Sequence, residues 1–529
     1  MTPKPLDLGI LFDVAADRGV PTEVRLSRPF DLAPDGGVSW RMPALAELVR
    51  DTAGALRAAG AGPGATVAVV KDNHWDIVLL ACAAARIGAV PALLSADLPP
   101  DTLAVLLARL DPAVLVAAPR VLSTVDMAGL VERTVALPGP GTVPAGAVPL
   151  DDLRGHRAPP PYRRRDDDPL VVHHTSGTTG VPKLVVHSTR TIIRRLAGFE
   201  AVRWPLLASR RTDTVASAIA FHHGRAVPWS VSVTWLAPRR MLLLADRDPA
   251  VAGPVLRACP PSTLETDPAT YVRWTPLTAG ADTPFRDVRL YVSTFDAAHP
   301  PMVRAYLGAS RRRLPVWMQG WGQTETGPLT FRFLTRGSLA ARGRRRPTTR
   351  DLGRPVPGRT RLRIVDEHTF QPVPDGRPGL VLARTDARCL GYVGEQDRWD
   401  DKVDGPWWNT GDIGVLSRGA LRLLDREVDR VPGGSCLELE DVLEDRLPAV
   451  VEATVLAAPG GPAVPVLVTA DGRLDGTAFR AATRDLPPLT EPVVVTWDEL
   501  PRTATGKVRR AELRARLRTA AVPGTGRWT

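Results

Sequence analysis

Three short apolar runs, Thr66-Val67-Ala68-Val69-Val70, Val90-Pro91-Ala92-Leu93-Leu94 and Ala113-Val114-Leu115-Val116-Ala117, are separated by stretches long enough for helices. Runs without polar alternation need cover on both faces, and helical crossovers supply it. The pattern therefore predicts βαβ units around a buried, mainly parallel sheet, a doubly wound α/β body. The longest apolar stretch, Ile77 to Leu94, is cut by Arg86 and Pro91, which marks a buried helix entering a strand rather than a membrane span. At 529 residues the chain has length for several domains and a large core.

Directly after the apolar run Leu170-Val171-Val172 comes His174-Thr175-Ser176-Gly177-Thr178-Thr179-Gly180-Val181-Pro182-Lys183. Glycines let backbone N–H groups turn toward one point, hydroxyls add donors, and Lys183 adds charge, which together describe a polyphosphate cradle. The Walker A spacing fails, because Gly180 is followed by Val181 and the lysine comes three residues later. Taken alone, a loop of this composition is equally a surface turn.

Composition narrows the classes. Cys82, Cys259, Cys389 and Cys436 lie far apart with no C-x-x-C pair, so neither a zinc site nor a disulfide framework is indicated. The start of the chain lacks the apolar core of a secretory signal, and a cytoplasmic setting without membrane insertion is expected. The net charge of +11 comes with scattered arginine clusters, one of which runs into Asp166-Asp167-Asp168. With no aromatic interleaving, these read as solvated surface rather than a nucleic-acid face. Lysine occurs only at Lys4, Lys71, Lys183, Lys402 and Lys507. Two of these fall where a compact ammonium suits phosphate chemistry better than a guanidinium fork.

From Gly353 to Leu424 short β-like runs punctuated by Gly and Pro predict a small antiparallel sheet or barrel-like subdomain. After Arg426 the pattern changes to a compact unit with a helical stretch, Glu438 to Leu447, and strand-like Val466-Leu467-Val468 and Val493-Val494-Val495. The boundary divides residues 1–425 from 426–529.

The phosphate-loop segment resembles the signature of the adenylate-forming superfamily, which holds acyl- and aryl-CoA synthetases, luciferases and peptide-synthetase adenylation domains. Four more segments resemble that family in its order: Phe221-His222-His223-Gly224, Gln319-Gly320-Trp321-Gly322-Gln323-Thr324-Glu325-Thr326, Trp408-Asn409-Thr410-Gly411-Asp412 with Asp425-Arg426, and Leu500-Pro501-Arg502-Thr503-Ala504-Thr505-Gly506-Lys507. The resemblance implies a large N-terminal AMP-binding region followed by a small mobile α+β C-terminal domain. It also implies a two-step reaction, in which a carboxylate attacks the α-phosphate of ATP to give acyl-AMP and pyrophosphate before a second nucleophile takes the acyl group.

Two anions must meet in that first step, so positive charge and preorganised donors are needed. By resemblance, Thr175, Ser176, Gly177, Thr178, Thr179, Gly180 and Lys183 would hold the β- and γ-phosphates. Thr324 would contact the α-phosphate and Glu325 would hold Mg²⁺. Lys507 would bridge the carboxylate and the α-phosphate. Asp412 and Arg426 would hold the ribose, and Trp321 would stack near adenine. His223, Phe295, Asp296 and Gly320 would line the substrate pocket. A ring at Phe295, where relatives often carry a glycine-rich turn, would shorten that pocket, and Asp296 could pair with a substrate amine. A compact aryl or acyl acid, an amino-substituted aryl acid among them, is the expected substrate rather than a long fatty acid. For several of these positions a plainer role is open: a helix start at Thr324-Glu325, a turn at Asp412, a core ring at Trp321, structural imidazoles at His222 and His223.

The segment after Arg426 departs from the family. Relatives usually carry R-x-K-D-x-I-K-x-x-G-x-x-V-x-P-x-E-I-E, whereas here Arg426-Glu427-Val428-Asp429-Arg430 leads within about ten residues to Glu438-Leu439-Glu440. The loop is shorter and lacks the lysines, and the hinge would fall near Asp429. The expected cofactors are ATP and Mg²⁺, with CoA as second substrate. A carrier protein or an amine as acceptor, an unusual oxyacid as substrate, or a non-catalytic adenylate-binding regulator are the alternatives.

Overall fold

The computed structural model describes residues 7–127, 129–176, 180–340, 348–426, 430–431, 434–458 and 461–520. Two compact units emerge. The first comprises Met1–Glu265, Gln323–Gly327 and Asp386–Asp401, and the second Thr266–Gly322, Pro328–Thr385 and Lys402–Thr529.

In the first unit the apolar runs become the parallel strands Thr66–Lys71, Val90–Ser95 and Val114–Ala117, with the helix Asp76–Arg86 between the first two. Eight strands form this sheet, in the order Gly391–Tyr392, Leu184–Ser188, Pro169–His174, Val90–Ser95, Thr66–Lys71, Val114–Ala117, Arg133–Ala136, Ala147–Pro149. The helix Pro100–Leu110 places Leu103, Leu106, Leu107 and Leu110 on one stripe, as 3.6-residue periodicity requires, and packs them on Val70, Leu94 and Leu115. Each such leucine contributes about 2 kcal/mol through burial. A second parallel set in this unit joins Thr214–Ser217 to Arg240–Leu243 and the latter to Glu23–Leu26.

Lys71, at the tip of its strand, is wholly buried, with Nζ 2.6 Å from Asp31 Oδ2 and 2.7 Å from Asp76 Oδ1. Burial opposes the Asp31 charge, but Arg28 and Lys71 outweigh it and hold the carboxyl down at about 2.

In the second unit Leu290–Ser293 runs parallel to Val316–Gln323, with Ser293 opposite Gln319. The short β runs expected after Gly353 form antiparallel strands: Thr360–Val365 pairs with Pro378–Thr385, which pairs in turn with Trp407–Ser417. Asp351–Pro355 pairs with Gly327–Leu334 on one edge and with Ala420–Arg426 on the other. Near the chain end, the strands Val450–Leu456, Val464–Thr469 and Val493–Val495 form a three-stranded sheet. Leu439 and Leu443 of the helix Cys436–Arg446 share a core there with Val455, Leu467 and Phe479. No helix of the described residues is long and apolar enough to cross a membrane.

Candidate active site

The phosphate-loop candidate is the tip of a hairpin in the first unit. Pro169–His174 pairs antiparallel with Leu184–Ser188, with His174 opposite Leu184. Its neck closes reciprocally: Thr175 N donates to the Lys183 carbonyl at 2.9 Å, and Lys183 N donates to Thr175 Oγ1 at 3.0 Å. Gly180 sits at φ +138°, a backbone state that favours glycine. Gly177, Thr178 and Thr179 lie outside the described residues.

The hairpin strands carry the buried histidines His173, His174 and His187, and His222 joins them. His174 Nδ1 donates to the Thr175 carbonyl at 2.8 Å while its Nε2 accepts from Ser95 N at 3.2 Å, which fixes a neutral tautomer. Its ring stacks on His222 with centroids 5.2 Å apart. Burial pushes His174, His187 and His222 below their ordinary value, and pushes His173 down to about 3. His222 is thus a core residue. His223 is half-buried, and its Nδ1 accepts from Arg225 N at 3.1 Å, which leaves Nε2 as the protonated nitrogen of the neutral ring. The segment is held from beneath by Asn73, which accepts from Phe221 N at 2.7 Å and donates to the Ile219 carbonyl at 3.1 Å.

Thr324 and Glu325 form a turn between two strands, not the start of a helix. The turn is held at both peptide carbonyls: His187 Nε2 donates to Thr324 O at 2.8 Å, and Cys389 N donates to Glu325 O at 2.7 Å. A Cβ on Gly224 would lie 3.7 Å from Thr324 Cγ2, so the segment carrying His223 runs against this turn. Glu325 is buried, and its Oε1 accepts from Tyr392 OH at 2.6 Å, with Lys183 Nζ 3.8 Å away. Thr175, Lys183, Thr324 and Glu325 are thereby gathered with His187, Cys389 and Tyr392, three residues that the sequence alone does not place in the site.

The second unit holds the other candidates. The lysine loop is a tight turn in which Thr503 N donates to the Lys507 carbonyl at 2.8 Å and Lys507 N donates to Thr503 Oγ1 at 3.2 Å. Gly506, at φ +80°, is seated on the helix Pro268–Trp274: a Cβ there would lie 2.8 Å from Asp267 Oδ1 and 2.8 Å from Ala269 Cβ. Asp267 caps that helix, accepting from Thr270 N at 2.8 Å.

Asp412 is buried within the strand Trp407–Ser417 rather than in a turn, in register with Arg426. Beside it, Lys402 Nζ lies 3.1 Å from where a Gly411 Cβ would stand. Asp429 lies outside the described residues. Phe295 occupies the left-handed region at φ +83°, and Asp296 is exposed. A Cβ on Gly320 would meet the Phe331 ring at 3.5 Å and Thr294 Cγ2 at 3.6 Å, so the strand end there is closely walled. Trp321 is half-buried, packed on Leu352, Ile364, Val381 and Leu421.

Four further observations bear on identity. The AMP-binding enzyme family matches residues 27–393. A 3-amino-2-hydroxy-4-methoxybenzoate diazotase from Streptomyces cremeus is 37% identical over 96% of this chain and 95% of its own length. A long-chain-fatty-acid–CoA ligase from Thermus thermophilus is 28% identical over 77% of this chain and 75% of its own. In fold, the chain resembles the anthranilate CoA ligase AuaEII in complex with anthranoyl-AMP, with a TM-score of 0.79, 21% identity, and coverage of 97% of this chain and 98% of that one. The hairpin neck, the Thr324–Glu325 turn and the lysine loop thus sit in a chain that belongs to the AMP-binding enzyme family and is an ATP-dependent adenylate-forming ligase.

Proposed function

We propose that this chain uses ATP to activate nitrite as a mixed anhydride with AMP and passes the nitroso nitrogen to an aromatic amine, giving a diazonium product. The observation that carries this reading is the likeness to a diazotase along nearly the whole chain, at 37% identity. Diazotisation needs nitrogen in the nitrite oxidation state, and nitrite is an oxyacid that ATP can activate as it does a carboxylate. The short segment after Arg426, without the lysines of relatives that form thioesters, supports an acceptor other than CoA.

In this reading a nitrite oxygen attacks the α-phosphorus of ATP, an O–P bond forms, and pyrophosphate leaves with the electrons of the broken P–O bond. Lys183 and the phosphate loop hold the β- and γ-phosphates. Thr324 and Lys507 donate to the α-phosphate as charge builds on it, and Asp412 accepts from the ribose hydroxyls. Arg426 assists at the ribose and Trp321 borders adenine. Glu325 offers a hard carboxylate oxygen to Mg²⁺, which when bound neutralises phosphate charge. The amine nitrogen then attacks the nitroso nitrogen, and AMP departs with the electrons of the N–O bond. The N–H proton is lost, and the resulting nitrosamine tautomerises to a diazohydroxide that releases water on protonation. His223, Phe295, Asp296 and Gly320 border the amine in this proposal. Residues 426–529 act as a mobile unit hinged near Asp429 that delivers Lys507.

The chemistry predicts an isotope pattern. With ¹⁸O-labelled nitrite, one label ends in AMP and the other in water. The test is mass analysis of AMP after turnover with labelled nitrite and an aminohydroxybenzoate. Unlabelled AMP, with no nitrite-dependent pyrophosphate exchange, overturns the reading.

A second reading, adenylation of an aryl carboxylate followed by transfer to CoA, is favoured by the likeness to a CoA ligase over three quarters of the chain. It predicts label in AMP from the carboxylate instead.

A further inference from the structure

Tyr392 belongs to no segment that marked the site in the sequence, yet it touches two of the site's charged groups. Its hydroxyl donates to Glu325 Oε1 at 2.6 Å and accepts from Lys183 Nζ at 3.3 Å. The ammonium also lies 5.0 Å from the centre of the Tyr392 ring. Lys183 and Glu325 themselves stand 3.8 Å apart, at the limit of an ion pair. The phenol is thus inserted as a relay between cation and anion.

The backbone explains how the ring reaches this place. Gly391–Tyr392 is a two-residue strand on the sheet edge, with Tyr392 opposite Val185 and Gly391 opposite Val186. Three residues earlier, Cys389 N is bonded to the Glu325 carbonyl. The segment Cys389–Tyr392 therefore grips Glu325 at both its main chain and its side chain, while pairing with the strand that leads out of the phosphate loop. Trp399 buttresses the ring edge-on, with centroids 5.5 Å apart.

We propose that Tyr392 is a positioning residue for the metal and phosphate groups, an inference that rests on the reading of Glu325 as the Mg²⁺ ligand. By engaging Oε1, the phenol fixes the rotation of the carboxylate and leaves Oε2 for the cation. By accepting from Lys183, it keeps the ammonium from closing directly onto the carboxylate, an ion pair that would have to break before phosphate and metal bind. Partners of this kind orient metal ligands, and their loss typically weakens metal affinity by about tenfold or more.

The test compares wild type, Tyr392→Phe and Glu325→Gln in titrations of Mn²⁺ into each protein saturated with α,β-methylene-ATP, followed by electron paramagnetic resonance. Thermal midpoints are recorded alongside. Phe keeps the ring and its packing and removes only the hydroxyl. The expected result is a loss of Mn²⁺ affinity of about tenfold in Tyr392→Phe, a larger loss in Glu325→Gln, and near-identical thermal midpoints. Wild-type affinity in Tyr392→Phe with weakened Glu325→Gln overturns the role of Tyr392 alone. Wild-type affinity in both variants overturns the metal-ligand reading of Glu325 and the inference with it.

Discussion

His299 and Asp441, 142 residues apart in the chain, meet with 2.7 Å between Nδ1 and Oδ1. His299 precedes the helix Pro300–Ala309, and Asp441 lies on the helix Cys436–Arg446. Thr349 donates to the same carboxylate from its main chain, at 2.7 Å, and from its hydroxyl. Glu444 stands 3.8 Å from the other ring nitrogen. Burial works against a charged imidazole, but Glu444 and Asp441 outweigh it and raise His299 to about 10. Arg304 with Asp445 and Arg350 with Glu438 add ion pairs along the same helix.

A pH prediction follows from the sign of that shift. A histidine whose folded value is raised from 6.5 to about 10 stabilises the fold fully below about pH 6.5 and loses that contribution as pH rises through 10. His299→Gln takes the cation away from Asp441, its 2.7 Å partner, while burial holds the Glu444 carboxyl up at about 8; the loss is expected to cost about 3 kcal/mol near neutrality. Urea unfolding from pH 6 to pH 10 should show the gap between wild type and variant narrowing with rising pH. A constant gap refutes the charged pair.

The lysine loop separates two effects. Lys507→Ala is expected to lower nitrite- or acid-dependent pyrophosphate exchange by about 10²–10³-fold, the scale of removing one preorganised charge donor. Transfer from a supplied adenylate should persist. Gly506→Ala keeps the lysine but forces a Cβ to within 2.8 Å of Asp267 Oδ1 at φ +80°. Exchange should fall in this variant too, with the thermal midpoint of the whole chain little changed. Full exchange in Gly506→Ala would show that the loop works without its seat on Asp267.

Phe295 holds a left-handed backbone that costs a non-glycine residue about 1 kcal/mol. Phe295→Gly relieves that strain and removes the ring. The expected outcome is a wider substrate range, with kcat/KM for bulkier aromatic amines or acids rising relative to compact ones. Unchanged selectivity across such a panel places the ring outside the pocket.

Asp412→Asn keeps shape and removes charge. A charge-assisted hydrogen bond is worth about 1.5–3 kcal/mol, so KM for ATP should rise by about 10–100-fold with little effect on the KM of the second substrate. Equal changes in both constants would point to a structural role for the strand.

What the sequence discloses and what it hides divides along chain separation. The runs at residues 66–70 and 90–94 become strands Thr66–Lys71 and Val90–Ser95 because burial on both faces is written in consecutive residues. The antiparallel strands after Gly353 are recognisable singly, but their attachment to Gly327–Leu334 is not, since an edge pairing leaves no local pattern. Thr175, Lys183, Thr324, Glu325 and Lys507 stand out because they fall in glycine-containing segments that resemble the family's motifs. Tyr392, 67 residues from Glu325, carries no such mark; its only local hint is the preceding glycine in an otherwise unremarked strand. The buried histidines read ambiguously for a related reason: an imidazole that serves the core and one that faces a ligand look alike until their hydrogen bonds are known.

Among the chain's five lysines, Lys71 is enclosed between Asp31 and Asp76, and Lys4 lies near the start of the chain. Lys183, Lys402 and Lys507 remain partly reachable, and each sits in or beside a segment proposed to hold nucleotide. An amine-selective acylating or reductive-methylating reagent therefore becomes a reporter of nucleotide occupancy. Side-chain amines labelled in the free protein and shielded on adding ATP would be read by peptide mapping against almost no background, a consequence of a chain that writes its positive charge in arginine.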